Sequence, residues 1–326
     1  MFNLEIEKTI KWIRDGGYTS VALQLPEGLK VRAAELSDSI RQETGADVII
    51  LGYPCYGACD LFTDYRKYAS ALVHFGHSPM PSLGPDKDIL FVEARASPDI
   101  SAAVVSAAEE LPDRVGILAT VQYVGLIEDA KKILENAGKT VIVGKGDVRI
   151  FHPGQVLGCN FSSATVAEKD VDAFLYLGEG DFHPLAAAFG TSKKVVVLNP
   201  ITGEIRSVDD IRDRILRKRF ATIEKAKSAE SFLVIICGKI GQNRTAEANT
   251  IAKKITDSGK RVYKIVADEI TPDSLLPYRV DAYVNTACPR IAMDDSARYS
   301  KPMLTIPETE IVLGLREWED YKFDSI

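Results

Sequence analysis

The sequence predicts an α/β protein made of three homologous small domains, each with its own parallel sheet, set around a pseudo-threefold axis. Two observations carry this. A strand–helix–strand pattern occurs three times along the 326 residues, and the strand pair that follows it recurs each time as well. A repeat of roughly a hundred residues is too long for a solenoid and suits separate α/β domains in one chain. The predicted domains cover 1–105, 106–205 and 206–326.

The first unit opens with the apolar strand Val21–Leu25, and Pro26-Glu27-Gly28 turns the chain into a helix with Leu29, Ala33, Leu36 and Ile40 at helical spacing. Gly45 is placed to stop that helix in a left-handed conformation before the strand at Val48. The second unit repeats this with the strand Val115–Ala119, a helix with Ile127, Ala130, Leu134 and Ala137 inward, a stop at Gly138, and Val141–Val143. The third has Phe232–Ile236, Ile251 and Ile255 on the helix, Gly259 as the stop, and Val262–Val266. Short apolar strands ending in polar loops follow at Ser70–His77, Asp172–Glu179 and Asp281–Cys288, and closing strands at Ile89–Val92, Val195–Leu198 and Met303–Ile306.

Composition narrows the function classes. A hydrophobic fraction of 46% with 26% charged residues is that of a soluble globular protein. A net charge of −6 argues against direct binding of nucleic acid. No stretch approaches the roughly 20 apolar residues that span a bilayer, and Met1–Lys8 reads as an acidic amphipathic helix rather than a signal peptide, so a cytoplasmic protein without a membrane partner is expected. The basic run Arg212–Lys227, with Arg214, Arg217, Lys218, Arg219 and Lys225, reads as one exposed helix with a solvated face, entered through a capping box at Ser207-Val208-Asp209-Asp210.

Five cysteines, an odd number in a long chain, favour metal binding or catalysis over a disulfide framework. Cys55 and Cys59 sit in the loop after the strand Val48–Leu51, Cys159 in a comparable loop of the second unit, and Cys288 past the third strand of the third. Ligands of open α/β sheets bind at that strand edge, so Cys59, Cys159 and Cys288 are expected to meet in space. Closed zinc sites take four ligands, often paired at short spacing, and no second close pair of cysteines exists. A cubane iron–sulfur cluster on three cysteines, with one iron open to substrate, fits the count. Cys55 competes with Cys59 as a ligand on these grounds, and Cys237, on an apolar strand, reads as a small buried hydrophobe. Among four histidines, His77 and His183 lie in loops at the strand edge and are candidate acid–base or substrate contacts, whereas His152 reads equally well as structural. The turns Pro26-Glu27-Gly28 and Gly238–Gln242 open helices able to hold a carboxylate or phosphate, but neither has the dinucleotide fingerprint.

Four motifs in order, Leu23-Gln24-Leu25-Pro26-Glu27-Gly28-Leu29, Tyr56-Gly57-Ala58-Cys59-Asp60, Gln155-Val156-Leu157-Gly158-Cys159-Asn160 and Asn285-Thr286-Ala287-Cys288-Pro289-Arg290-Ile291, resemble the archaeal 2-(3-amino-3-carboxypropyl)histidine synthases of diphthamide biosynthesis. The resemblance covers nearly the whole chain. It implies a homodimer whose protomers each hold a [4Fe–4S] cluster on Cys59, Cys159 and Cys288, deciding against Cys55. It also implies a radical reaction in which the aminocarboxypropyl group of S-adenosylmethionine passes to a histidine of translation elongation factor 2, with an electron donor reducing the cluster. Cofactor contacts are then expected at Pro26, Glu27, Gly28, His77, Gly178, Glu179, Gly180 and Pro289, and a catalytic or substrate contact at His183. Quinolinate synthases, which combine three α/β domains with a three-cysteine cluster acting as a Lewis acid in a dehydration, are the competing family.

Overall fold

The computed structural model describes residues 2–326. Among the described residues, thirteen strands form three sheets. The first holds β1 (Ser20–Gln24), β2 (Asp47–Ile50), β3 (Ala71–Phe75) and β4 (Ile89–Val92) in the order β2-β1-β3-β4. The second holds β5 (Arg114–Ala119), β6 (Thr140–Ile142), β7 (Ala173–Leu177), β8 (Lys194–Leu198) and β9 (Ile205–Ser207) in the order β6-β5-β7-β8-β9. The third holds β10 (Ser231–Cys237), β11 (Arg261–Ala267), β12 (Ala282–Asn285) and β13 (Met303–Leu304) in the order β11-β10-β12-β13. Each sheet therefore starts at its second position, steps outward once, and reverses to grow on the other side. The first strand of each pairs in parallel with its neighbours on both sides. That reversal creates a crevice at the carboxyl ends of β1 and β3, of β5 and β7, and of β10 and β12.

The strands form because β-branched and other apolar side chains fill both faces; β3, β7 and β10 are buried along their whole length. Helices cover them through one apolar stripe each. Leu36 and Ile40 pack with Val21, Leu23 and Phe75 in the first sheet, Ala130 and Leu134 with Val115 and Ile117 in the second, and Ile251 and Ile255 with Phe232 and Val234 in the third. Gly45, Gly138 and Gly259 end the three helices with φ of 72°, 83° and 77°, the left-handed turn that favours glycine.

By contact density the chain forms two compact units. One contains residues up to Val156, Ser162–Glu179 and Val196–Arg206, with the first sheet and most of the second. The other contains Leu157–Phe161, Gly180–Val195 and Ser207–Ile326, with the third sheet.

Several local expectations are corrected. The first helix begins at Ile6, after the non-helical residues 2–5, with Glu5 at φ 46°; Met1 lies outside the described residues. Ala137 is the capping residue of the helix Ile127–Asn136, off its apolar stripe, and is exposed. Gly238–Gln242 opens no helix, since the helix runs over Thr245–Asp257. The closing strand stops at Leu304, because Glu308 reaches back to accept from Thr305 N at 2.8 Å and the helix Ile306–Val312 starts there. In the basic helix Asp209–Ala226, Ser207 makes no capping box; its hydroxyl accepts from Asp209 N at 3.1 Å. Arg219 is not on a solvated face. It is fully buried, donating to Glu308 and to the carbonyls of Ala292 and Met303.

Candidate functional site

Cys59 lies in a short turn, Ala58–Asp60, between β2 and β3. Two side chains shape that turn. The Asp60 carboxylate accepts from Tyr56 N at 2.6 Å, and Gln24, at the carboxyl end of β1, donates from Nε2 to the Asp60 carbonyl at 2.7 Å while its Oε1 accepts from Phe62 N at 3.2 Å. A buried amide thus clamps the backbone on both sides of Leu61 and fixes where the chain emerges toward Cys59.

His74, near the end of β3, continues the network: its Nδ1 is 2.9 Å from Gln24 Oε1 and its Nε2 is 2.9 Å from Nδ1 of His77. Burial holds His74 neutral well below the usual imidazole range, and nearby His77 adds to this. Burial lowers His77 to about 4, partly offset by its hydrogen bond to the Phe75 backbone. Gly76, at φ 82°, lets this loop pass so close to the first that a Cβ there would stand 2.9 Å from Pro26 Cγ. Pro26 and His77, both expected at the site, are therefore brought to one edge. Glu27 instead points to Lys30, 2.6 Å away.

Cys55 Sγ, His74 and His77 offer ligand atoms within 4.8 Å of one another. Imidazole nitrogens on one tetrahedral ion stand roughly 3.3 Å apart, so the 2.9 Å His74–His77 contact is a hydrogen bond that a metal would have to break.

The equivalent edge of the second sheet carries buried Tyr123 and Tyr176 with Gly178 and exposed Glu179. Burial, then the charge of Glu179, pushes the Tyr123 phenol up to about 12. Gly178 is required here, since a Cβ would stand 2.5 Å from the Tyr176 hydroxyl. His152, in the same unit, lies 2.6 Å from Glu93; although burial raises the Glu93 carboxyl, His152 and Arg95 hold it below its ordinary value. That is the structural reading of His152.

In the second compact unit, Gly158 and Arg290, which flank Cys159 and Cys288, meet the same aromatic ring. A Cβ on Gly158 would fall 1.6 Å from the Phe182 ring, so only glycine lets the Cys159 backbone lie against it. The Arg290 guanidinium stacks on the same ring, 4.9 Å from its centroid. Buried Asn285 shapes the Cys288 turn by donating to the Cys288 carbonyl at 2.9 Å and accepting from Ala287 N at 3.1 Å. The Cys159 carbonyl accepts from Ile326 N at 2.8 Å. His183 follows Phe182 at the start of the helix Phe182–Gly190 and meets its ring edge-on, and Pro289 is buried beside Cys288.

The three edge cysteines, Cys59, Cys159 and Cys288, are half-buried, whereas Cys55 and Cys237 are buried. Thiolates are soft donors, suited to iron–sulfur clusters or zinc, and each of the three is partly accessible. Fold and thiols together define the class: a three-sheet α/β protein with one half-buried cysteine in a loop beside each sheet.

Comparison with known proteins agrees. The family model described as "Putative diphthamide synthesis protein" matches residues 25–322. The chain is 39% identical over 327 aligned positions to the 2-(3-amino-3-carboxypropyl)histidine synthase of Pyrococcus horikoshii, covering 99% of this chain and 92% of that one. It is 29% identical to the synthase of the same name from Methanocaldococcus jannaschii, covering 100% and 94%. Among solved structures it matches the crystal structure of Dph2 from Pyrococcus horikoshii with a 4Fe–4S cluster, with a TM-score of 0.90 and 36% identity, covering 100% of this chain and 95% of that one. The chain belongs to the diphthamide synthesis protein family.

Proposed function

We propose that this protein is a transferase that moves the 3-amino-3-carboxypropyl group of S-adenosylmethionine onto a histidine of translation elongation factor 2, the first step of diphthamide synthesis. The observation that carries the reading is the near full-length match to a synthase of that name together with the three half-buried edge cysteines. Family membership decides against the dehydratase alternative.

Cys59, Cys159 and Cys288 would hold the [4Fe–4S] cluster. When bound, the cluster would supply the electron for reductive cleavage of the bond from sulfur to the γ-carbon of S-adenosylmethionine, giving methylthioadenosine and the group to be transferred. The protein supplies position and exclusion of water. Gln24 and Asp60 hold the Cys59 turn, Asn285 holds the Cys288 turn, and Gly158 lets the Cys159 backbone lie against Phe182. Pro26, Glu27, Gly28, Gly178, Glu179, Gly180 and Pro289 are assigned to the co-substrate and His183 to the protein substrate. A homodimer, a separate electron donor and a cytoplasmic location belong to the same reading; no helix among the described residues is long and apolar enough to cross a membrane.

The test is anaerobic incubation of cluster-loaded protein with dithionite, S-adenosylmethionine and the elongation factor, followed by peptide mass analysis. One aminocarboxypropyl group on a single histidine is expected; an unmodified factor beside cleaved co-substrate would contradict the reading.

A further inference from the structure

Cys159 stands in a tight turn whose base is closed by its own backbone. Leu157 N donates to the Asn160 carbonyl at 2.8 Å, and Asn160 N donates to the Leu157 carbonyl at 3.3 Å. The tip is held from elsewhere. Ile326 N donates to the Cys159 carbonyl at 2.8 Å, and the Ile326 main-chain oxygen accepts from Asn160 Nδ2 at 3.0 Å, 166 positions along the chain. Both main-chain groups of one residue therefore grip the turn that carries the thiol. The segment 321–326 has neither helix nor strand, so side chains must fix it. Asp324, its side chain 4% exposed, accepts two hydrogen bonds from the Arg244 guanidinium at 2.9 and 3.0 Å, just ahead of the helix Thr245–Asp257. Buried Phe323 stacks on Phe189 at 5.4 Å and meets Phe161 edge-on at 6.0 Å. It shares a buried apolar cluster with Met293, against which Phe161 packs. Phe161 follows the Cys159 turn, and Met293 ends the short helix Arg290–Met293 that follows Cys288. All these residues lie in one compact unit.

We infer that Phe323, Asp324 and Ile326 are positioning residues for the metal centre: they form a strap that holds the Cys159 turn, and packs on the segment past Cys288, before iron arrives. The inference rests on the assignment of Cys159 and Cys288 as cluster ligands. The two kinds of turn are supported differently. Asp60 and Gln24 hold the Cys59 turn from its own sheet and loop, whereas the Cys159 turn takes its outer support from the strap. A ligand fixed in advance by its surroundings loses little conformational freedom when metal binds, so it releases metal more slowly than a free one. Phe323 and Asp324 anchor the strap, and Ile326 delivers the contact.

Iron release tests this without any turnover. Wild type and variants are reconstituted anaerobically, and the passage of iron to a ferrous chelator is followed at a temperature at which circular dichroism shows each iron-free protein folded. Phe323→Ala removes an anchor, and Asn160→Ala cuts the bond to Ile326 while leaving both anchors in place. Each should release iron about ten times faster than wild type, the equivalent of one lost hydrogen bond. Phe323→Leu, which refills the apolar cluster, should return the rate most of the way to wild type. Where Phe323→Ala does not fold, Asn160→Ala carries the test alone. Wild-type release rates in the folded variants would overturn the inference whatever their urea midpoints, since the strap would then serve the fold only. Cys159→Ala separates the two layers of the argument. Full iron in Cys159→Ala would overturn the ligand assignment; iron lost from Cys159→Ala but kept by the strap variants would overturn the strap alone.

Discussion

Arg219 and Glu308, 89 positions apart and both shielded from solvent, meet in a two-pronged ion pair, with Nε to Oε1 at 2.7 Å and Nη2 to Oε2 at 2.5 Å. Two further donors of the guanidinium reach the carbonyls of Ala292 and Met303, and Tyr321 donates to Glu308 at 3.1 Å. The pair ties the helix Asp209–Ala226 to the helix Ile306–Val312, and the bond to Ala292 reaches the segment just past Cys288. Removing one partner leaves the other charge buried and unpaired. Arg219→Ala should therefore lower unfolding stability by about 3–5 kcal/mol. Urea unfolding of wild type and variant measures it; a loss under about 1 kcal/mol would show that the pair is replaceable by water.

The cysteines divide by position. Replacing Cys59, Cys159 or Cys288 singly by Ala should abolish bound iron after anaerobic reconstitution, whereas Cys55→Ala and Cys237→Ala should retain it. Iron and sulfide analysis decides each one separately, and full occupancy without any member of the first set would remove it as a ligand.

Gly158→Ala should act like a ligand loss without touching a sulfur. The added methyl would overlap the Phe182 ring, so either the ring or the Cys159 backbone must move. Lower iron content is expected, relieved when Phe182→Ala is combined with it; equal iron in wild type and Gly158→Ala would place the loop under no such constraint.

Acid should weaken the fold through the histidine pair. His77 falls to about 4 in the folded protein against 6.5 for the free group, and His74 also falls well below 6.5. Below about pH 6.5 the unfolded chain takes up protons that the folded chain refuses, so stability is complete above that pH and is lost as pH falls toward about 4. Urea midpoints between about pH 7 and about pH 5, ahead of most carboxylates, should fall more steeply in the wild type than in His77→Gln. Parallel slopes would mean that His77 is readily protonated in place.

Much of this was legible in the sequence because the responsible signals are local. Runs such as Phe232–Ile236 can be strands buried on both faces, and Gly45, Gly138 and Gly259 are the residues that left-handed helix ends favour. The edge loops that carry Cys59, Cys159 and Cys288 follow from the strand ends. Side chains whose partners are remote were not legible. Arg219 reads as one of several solvated cations until Glu308 is folded against it. Gln24 and His74 did leave a signal, since each is the one polar residue in a buried apolar run, Leu23-Gln24-Leu25 and Leu72-Val73-His74-Phe75, and a buried polar group requires a partner. Tyr123 and Tyr176 left none, because aromatic side chains in and beside strands are ordinary core residues.

The most direct test of the account is the product formed from S-adenosylmethionine when the reduced, cluster-loaded protein is incubated anaerobically with it alone. Chromatography and mass analysis should find methylthioadenosine, the fragment left when the bond to the γ-carbon breaks. Finding 5′-deoxyadenosine as the main product would contradict the account, because the bond broken would then be on the other side of the sulfur and no aminocarboxypropyl group would be available for transfer.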